Sequence, residues 1–446
     1  MEQEVMMPKY ISLGQGVSLE AVQTDRFKTA CLSVSSAVTA TAALSPIDTL
    51  LLGVQGRGNA NYETLYALNK EMDLLYDLTL FSRNYRMGDL QILGSGAYFI
   101  DPKYLPASDR ETVAKANVRM LRESIYAPLL DDGGCFRRGY TELEKKVQTD
   151  IIRDEIREPG AYAEKRIREL TFLCEPHGVS FYGTVDGVNA LSSREITDRY
   201  HAFWKNAPLH FFYVGSESPE RMAEMLSDAF SLHTVCPDTT GKIAHASPSS
   251  MLPFTGNTSR FDETLPVSQG KLCMVLSVDT DLRSKDLYIA MVCNEILGGS
   301  PLSKLFMNVR EKKGLCYYCS SVFDFYKGYF SISAGIRVDN RNETEEEILL
   351  QLEEMRKGNI SDAEMTAAVR FLVSIYTGLY DSSSGIENYY LARRFYGVRS
   401  TPEEAKAAIL RVTKEDVVAF MQRVRLRSVY FLCGTGNAEG EEDDEE

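Results

Sequence analysis

From Leu297 to Ile336 the chain reads LGGSPLSKLFMNVREKKGLCYYCSSVFDFYKGYFSISAGI, and its apolar period changes once within that stretch. Leu302, Leu305, Phe306 and Val309 recur at helical spacing, so a helix with one apolar stripe is expected, with Ser300 and Pro301 as its cap and first turn. Lys312 and Lys313 suit the negative end of that helix, and Gly314 suits the left-handed residue that turns the chain out of it. From Cys316 the period becomes two. Tyr317, Cys319, Ser321, Phe323 and Phe325 fall on one expected strand face, with Tyr318, Ser320 and Val322 on the other. Lys327-Gly328 predicts a turn into a second strand ending near Ile336.

The same order occurs earlier in weaker form. Phe27–Val38 alternates as a strand, and Leu65, Leu68, Met72, Leu75 and Tyr76 mark a helix within Tyr62–Tyr76. Strands over Leu78–Tyr85 and Leu90–Ile100 then flank a turn at Met87-Gly88-Asp89. Helices are expected over Arg110–Tyr126, Tyr140–Arg157 and Ala161–Leu173. Both halves close alike. Ser193 caps a helix that feeds a strand Leu209–Val214 ending at Gly215, and Thr413 caps one that feeds Ser428–Cys433 ending at Gly434. Agreement of order and spacing argues for two copies of one α+β domain with mainly antiparallel sheets and helices packed on one face. The expected divisions are 1–236 for the first repeat, 237–263 for a Ser-, Thr-, Pro- and Gly-rich linker, 264–436 for the second repeat and 437–446 for a disordered acidic tail.

Composition narrows the class. A chain of 446 residues exceeds what one core normally supports, in keeping with two domains. The formal charge of −14 and the lack of any basic stripe argue against nucleic acid. No signal peptide or run of eighteen apolar residues is evident, so a cytoplasmic protein with no membrane contact is expected. Nine cysteines, an odd number spread over the chain, read as reduced thiols. Cys316 and Cys319 form a CxxC, but residues three apart on a regular strand face opposite sides, which discounts them as a pair.

The segment Leu-Gly-Gly, Ser-x-Leu-Phe, Arg-Glu-Lys-Lys-Gly-Leu-x-Tyr within two such repeats resembles the pitrilysin, insulinase and mitochondrial processing peptidase family of inverzincin metallopeptidases. The resemblance covers the whole chain apart from the acidic tail, and implies a LuxS/mitochondrial-processing-peptidase-like metallohydrolase fold. It also implies that Arg310 and Tyr317 hold and polarise a scissile peptide in trans, facing a zinc site on another repeat or subunit, with Gly298, Gly299 and Ser300 as substrate contacts. Two donors aimed at a carbonyl oxygen suit the stabilisation of an oxyanion. The departure lies in the metal motif. An inverzincin needs His-x-x-Glu-His on a helix of the first repeat, where two histidines bind zinc and the Glu acts as base. At that place the chain reads Ala43-Leu44-Ser45-Pro46-Ile47-Asp48-Thr49-Leu50, and the third ligand's place falls near Asp150 or Ile151.

The other candidates are weaker. None of His177, His201, His210, His233 and His245 has a second histidine within four residues. His233 and Cys236 supply two possible ligands where a site needs three. His177 reads as a surface loop residue, Gly94-Ser95-Gly96 lies in a strand, and Ser193 and Ser300 read as caps. No metal or other cofactor is expected on this chain. The expected function is a zinc-less subunit of a two-component metallopeptidase, inactive alone, acting on peptide substrate beside a motif-bearing partner of the same family. The alternative is an inactive peptidase homologue acting as a peptide-binding or scaffold homo-oligomer, with a homodimer as the partner arrangement.

Overall fold

A computed structural model describes residues 6–232, 256–280 and 284–434. Most of the expected linker and all of the acidic tail therefore lie outside the described residues, as do His233, Cys236 and His245. The chain forms two compact units, and neither is a contiguous half. The first draws on the spans Met1–Arg153, Val179–Ser247 and Thr377–Glu403. The second draws on Asp154–Gly178, Pro248–Tyr376 and Glu404–Glu446. Each unit thus takes one helical segment from the other half of the sequence, which the contiguous division above does not anticipate. Amphipathic spacing shows that a helix has an apolar face, not which sheet that face will cover.

The first unit holds a six-stranded sheet. Its strands are β1 (Lys9–Gly14), β2 (Val17–Gln23), β3 (Thr29–Thr39), β4 (Thr79–Met87), β5 (Leu90–Ile100) and β6 (Leu209–Gly215), in the order β1-β2-β6-β3-β5-β4. The second holds β7 (Ser259–Leu265), β8 (Gly270–Ser277), β9 (Cys316–Asp324), β10 (Tyr329–Ile336) and β11 (Arg425–Gly434), in the order β7-β11-β8-β10-β9. Set β1 aside and the two orders are the same, down to one parallel pair in each, β2 with β6 and β7 with β11. Every other pairing is antiparallel. The expected duplication is thus present in the strand topology, with the parallel pairs an addition to the mainly antiparallel reading. β7 begins at Ser259, so the end expected for the linker is already strand.

Alternation along the central strands sets the layers. In β3, Leu32 and Val34 join the core with Leu50 and Leu51 of the helix Ser45–Gln55, Val118 and Leu121 of Arg110–Tyr126, and Phe203 of Ser193–Asn206. In β8, Leu272, Met274 and Leu276 are fully buried, each burial stabilising by about 1.5–3 kcal/mol. Phe330, opposite Leu276, packs edge-on to Phe420 of the helix Lys414–Met421. The second face of each sheet takes the helix borrowed from the other half. In the second unit, Ala163 and Ile167 of the helix Pro159–Thr171, with Phe172, pack on Cys273, Val275, Tyr430 and Leu432. Glu263 ties that helix down by accepting from Tyr162 Oη at 2.5 Å, Arg166 Nε at 3.2 Å and Tyr430 Oη at 2.9 Å.

In the first unit the borrowed helix Ser383–Tyr396 brings a carboxylate among its apolar groups, of which Tyr390 stacks on Phe212 of β6. Glu387 is fully buried and meets Arg83 Nη2 at 2.8 Å, the Cys31 thiol at 3.2 Å and the Ser33 hydroxyl. Burial and the adjacent carboxylate push the Cys31 thiol well above its ordinary pKa, so it stays a protonated donor.

Two local readings need correction. The helix before β6 is capped by Ser192 and not Ser193, through a capping box in which Glu195 answers the Ser192 amide. His177 is not a surface residue. It is 2% exposed, with Nε2 3.1 Å from Tyr329 Oη and 3.8 Å from an Asp324 carboxylate oxygen, because its segment docks in the second unit.

Candidate functional site

The segment that carries Arg310 is a helix, but a wide one. Leu305–Lys312 winds as a π-helix, as does Glu295–Gly299 just before it. Lys313 donates to Asn308 five residues back, at 3.2 Å. The expected stripe narrows as a result. Leu305 and Val309 are buried, Phe306 is half-buried and Leu302 is exposed, since 301–303 lie outside the regular turns. Ser300 does not cap this helix; its hydroxyl donates to the Glu295 carbonyl at 3.2 Å, and Ser303 accepts from the Phe306 amide instead. Gly314 takes the left-handed conformation expected of it, with φ of +64°, and closes onto the Arg310 carbonyl.

Gly298 shows why the Leu-Gly-Gly stretch is small. A Cβ added there would come within 2.6 Å of the Ser321 amide nitrogen, so only glycine lets the π-turn lie against β9. Gly299 is crowded likewise by the Asn294 and Glu295 side chains. These contacts give Gly298 and Gly299 a packing role. Gly298→Ala is expected to cost about 1–3 kcal/mol through overpacking. Urea unfolding followed by circular dichroism checks this, and a change within about 0.5 kcal/mol, the range of neutral surface substitutions, would show the contact to be dispensable.

Arg310 is 41% exposed along its side chain, with Cζ 4.7 Å from the Phe306 ring centre and Nε 3.6 Å from Glu311. Tyr317 is 62% exposed, more than any other β9 aromatic. The reason lies in the ladder. Gly335 pairs with Tyr318 while Ile336 pairs with Cys316, so Tyr317 is a β-bulge that no β10 residue opposes. The bulge also overturns the reading of the CxxC. Ile336 and Ala334 share a face of β10, and their partners Cys316 and Cys319 therefore share a face of β9. Arg310 lies close enough for its charge, after the Cys319 hydrogen bond, to help lower the Cys316 pKa.

At the expected metal-motif position the helix Ser45–Gln55 carries no histidine. Asp48 is 1% exposed and held in a two-point fork by Arg199, Nε to Oδ1 at 2.6 Å and Nη2 to Oδ2 at 2.9 Å. Burial raises the Asp48 pKa against the lowering effect of that guanidinium. Glu144, close over Gly53 of the same helix, is ion-paired with Arg57. Asp150 is half-exposed and pairs with Arg153 at 3.2 Å, and Ile151 is exposed. These residues do not fit zinc, because the carboxylates present already answer guanidinium groups. Among the described residues no three of His, Cys, Asp and Glu are grouped to hold a metal, and no helix is long and apolar enough to cross a membrane.

Two units share one strand order, the second carries Arg310 in its π-turns and Tyr317 on β9, and the helix at the expected metal-motif position is salt-bridged instead of holding metal ligands. Residues 190–372 match the family described as Peptidase M16 inactive domain. It is 23% identical to the "Probable inactive metalloprotease YmfF" of Bacillus subtilis over 95% of this chain and 97% of that one. It is 20% identical to the mitochondrial-processing peptidase subunit beta of Saccharomyces cerevisiae, covering 71% and 69% of the two chains. In fold it matches a conserved protein from Enterococcus faecalis V583 with a TM-score of 0.87, at 24% identity, over 97% of this chain and all of that one.

Proposed function

We propose that this chain is the zinc-less subunit of a two-component M16 peptidase, giving Arg310 and Tyr317 to a peptide held at the metal centre of a motif-bearing partner. The observation that carries this reading is the exposure of Tyr317 by a bulge, together with the partial exposure of Arg310, while the chain's own motif position is closed by the Asp48–Arg199 pair. Bulges recur next to active sites, where they re-aim a side chain. The yeast relative is itself named as a subunit, which supports an assembly of related chains. A guanidinium and a phenol offer a carbonyl oxygen two donors, and such donors are each worth about 10²–10³ in rate when aimed at a developing oxyanion.

The test is reconstitution. The purified chain is mixed with an M16 chain that carries His-x-x-Glu-His, and cleavage of a quenched fluorescent peptide is followed. Neither chain alone should cleave, and the mixture should. Arg310→Ala should lower kcat/KM of the mixture by about 10²–10³, and Tyr317→Phe by a smaller factor, with folding of both variants confirmed by circular dichroism. Unchanged cleavage with Arg310→Ala, or stoichiometric zinc in the isolated chain, would sink the reading.

A further inference from the structure

The bulge at Tyr317 does more than expose a phenol; it rephases the strand. With Tyr317 unopposed, Cys316 and Cys319 lie opposite Ile336 and Ala334, two positions apart on the same face of β9. Two strand positions span about 6.6 Å, near the upper end of the Cα separation that a disulfide bridges. Each thiol acts on the other, Cys319 lowering the Cys316 pKa and Cys316 raising that of Cys319. Cys316 is half-exposed and Cys319 is 4% exposed. The positive charge of Arg310 adds to the lowering at Cys316. A partly exposed, activated thiol backed by a buried neighbour is the arrangement of a reactive cysteine and its resolving partner.

We infer that Cys316 and Cys319 form a reversible redox site, in which a peroxide-class oxidant closes a disulfide that brackets Tyr317. Atoms balance with hydrogen peroxide as the oxidant. The Cys316 thiolate attacks one peroxide oxygen, the O–O bond breaks, and the departing hydroxide takes up the thiol proton as water, leaving a Cys316 sulfenic acid. Cys319 then attacks that sulfur as its own proton is lost, the S–O bond breaks, and a second water leaves. Two electrons pass from the dithiol to the peroxide, and a thiol reductant returns them. The disulfide encloses only Tyr317 and Tyr318. Closing it draws the two flanking positions together and fixes the phenol's direction. This inference stands on the strand register and does not need the peptidase reading.

The full-length chain is treated with hydrogen peroxide in small excess, quenched with iodoacetamide under denaturing conditions and digested. The peptide spanning 314–327 should lose two hydrogens in mass and become resistant to alkylation, while Cys174, which is exposed, remains alkylated. Dithiothreitol should restore both thiols. In Cys319→Ser, dimedone should trap a sulfenic acid at Cys316. On the reduced chain, the pH midpoint for Cys316 alkylation should lie below that of Cys174 and rise in Arg310→Met. Circular dichroism confirms that each variant is folded. Cys316 passing to sulfinic acid with Cys319 still free would overturn the inference, as would oxidation of Cys316 no faster than that of Cys174.

Discussion

Glu387→Ala is expected to lower the unfolding free energy of the first unit by about 3–5 kcal/mol, the largest effect of any single substitution considered for this chain. The cause is not lost attraction alone. Glu387 is fully buried, and its removal strands the Arg83 guanidinium, 9% exposed along its side chain, with the Ser33 and Cys31 donors facing an empty site. Replacing the pair together, as Arg83→Met with Glu387→Met, should recover most of the loss, since apolar groups of similar volume need no counter-charge. The chain has one tryptophan, Trp204, buried in the first unit at 4% exposure. Its fluorescence during urea unfolding therefore reports this unit. A single-variant loss below about 1 kcal/mol would show the cluster to be hydrated and energetically minor.

Asp48→Ala should cost slightly less, about 3 kcal/mol, because Arg199 is 15% exposed and keeps the Phe203 ring 5.4 Å away as a partial substitute. The pH dependence has a definite sign. Burial raises the Asp48 carboxyl above its unfolded value, so the native chain binds that proton more tightly than the unfolded chain does. The stability from this group is full below the unfolded value near 3.8 and is lost as pH rises through the higher folded value. Asp48→Asn removes the titration. Wild type minus Asp48→Asn should therefore shrink as pH rises from about 4 toward neutrality, measured by urea midpoints at constant ionic strength. A difference that grows with pH over that range would mean that Arg199 outweighs burial.

Much of this architecture could be read from residue order. The turn glycines, the switch from helical to two-residue spacing and the Thr413 cap placed the hairpins and the duplication, because each rests on local chemistry. Arg310 and Tyr317 were singled out by resemblance, and their surroundings were not legible. A bulge leaves no mark in the alternation of CYYCSS, so the common face of Cys316 and Cys319 could not be foreseen. The π-turns were hidden for a similar reason, since Leu305 and Val309 satisfy α and π spacing nearly as well. The Glu387 cluster was missed because its partners lie more than three hundred positions away in the chain. Its one sequence sign was the run Cys31, Ser33, Ser35 on the polar side of an otherwise apolar strand.

The crossed membership of the two units bears on how the chain acquires its structure during synthesis. The strands of the first sheet are complete once Gly215 has been made, yet the helix that covers their polar side ends only at Tyr396. At ribosomal rates of about 5–20 residues per second, that face waits roughly 9–36 s for its cover, with Arg83 uncompensated throughout. The second unit has the opposite problem. Its helix Pro159–Thr171 is made about a hundred positions before β8, the strand it will cover. Neither unit can finish alone in order of appearance, so the stretch from Ser383 to Gly434 decides when both become native.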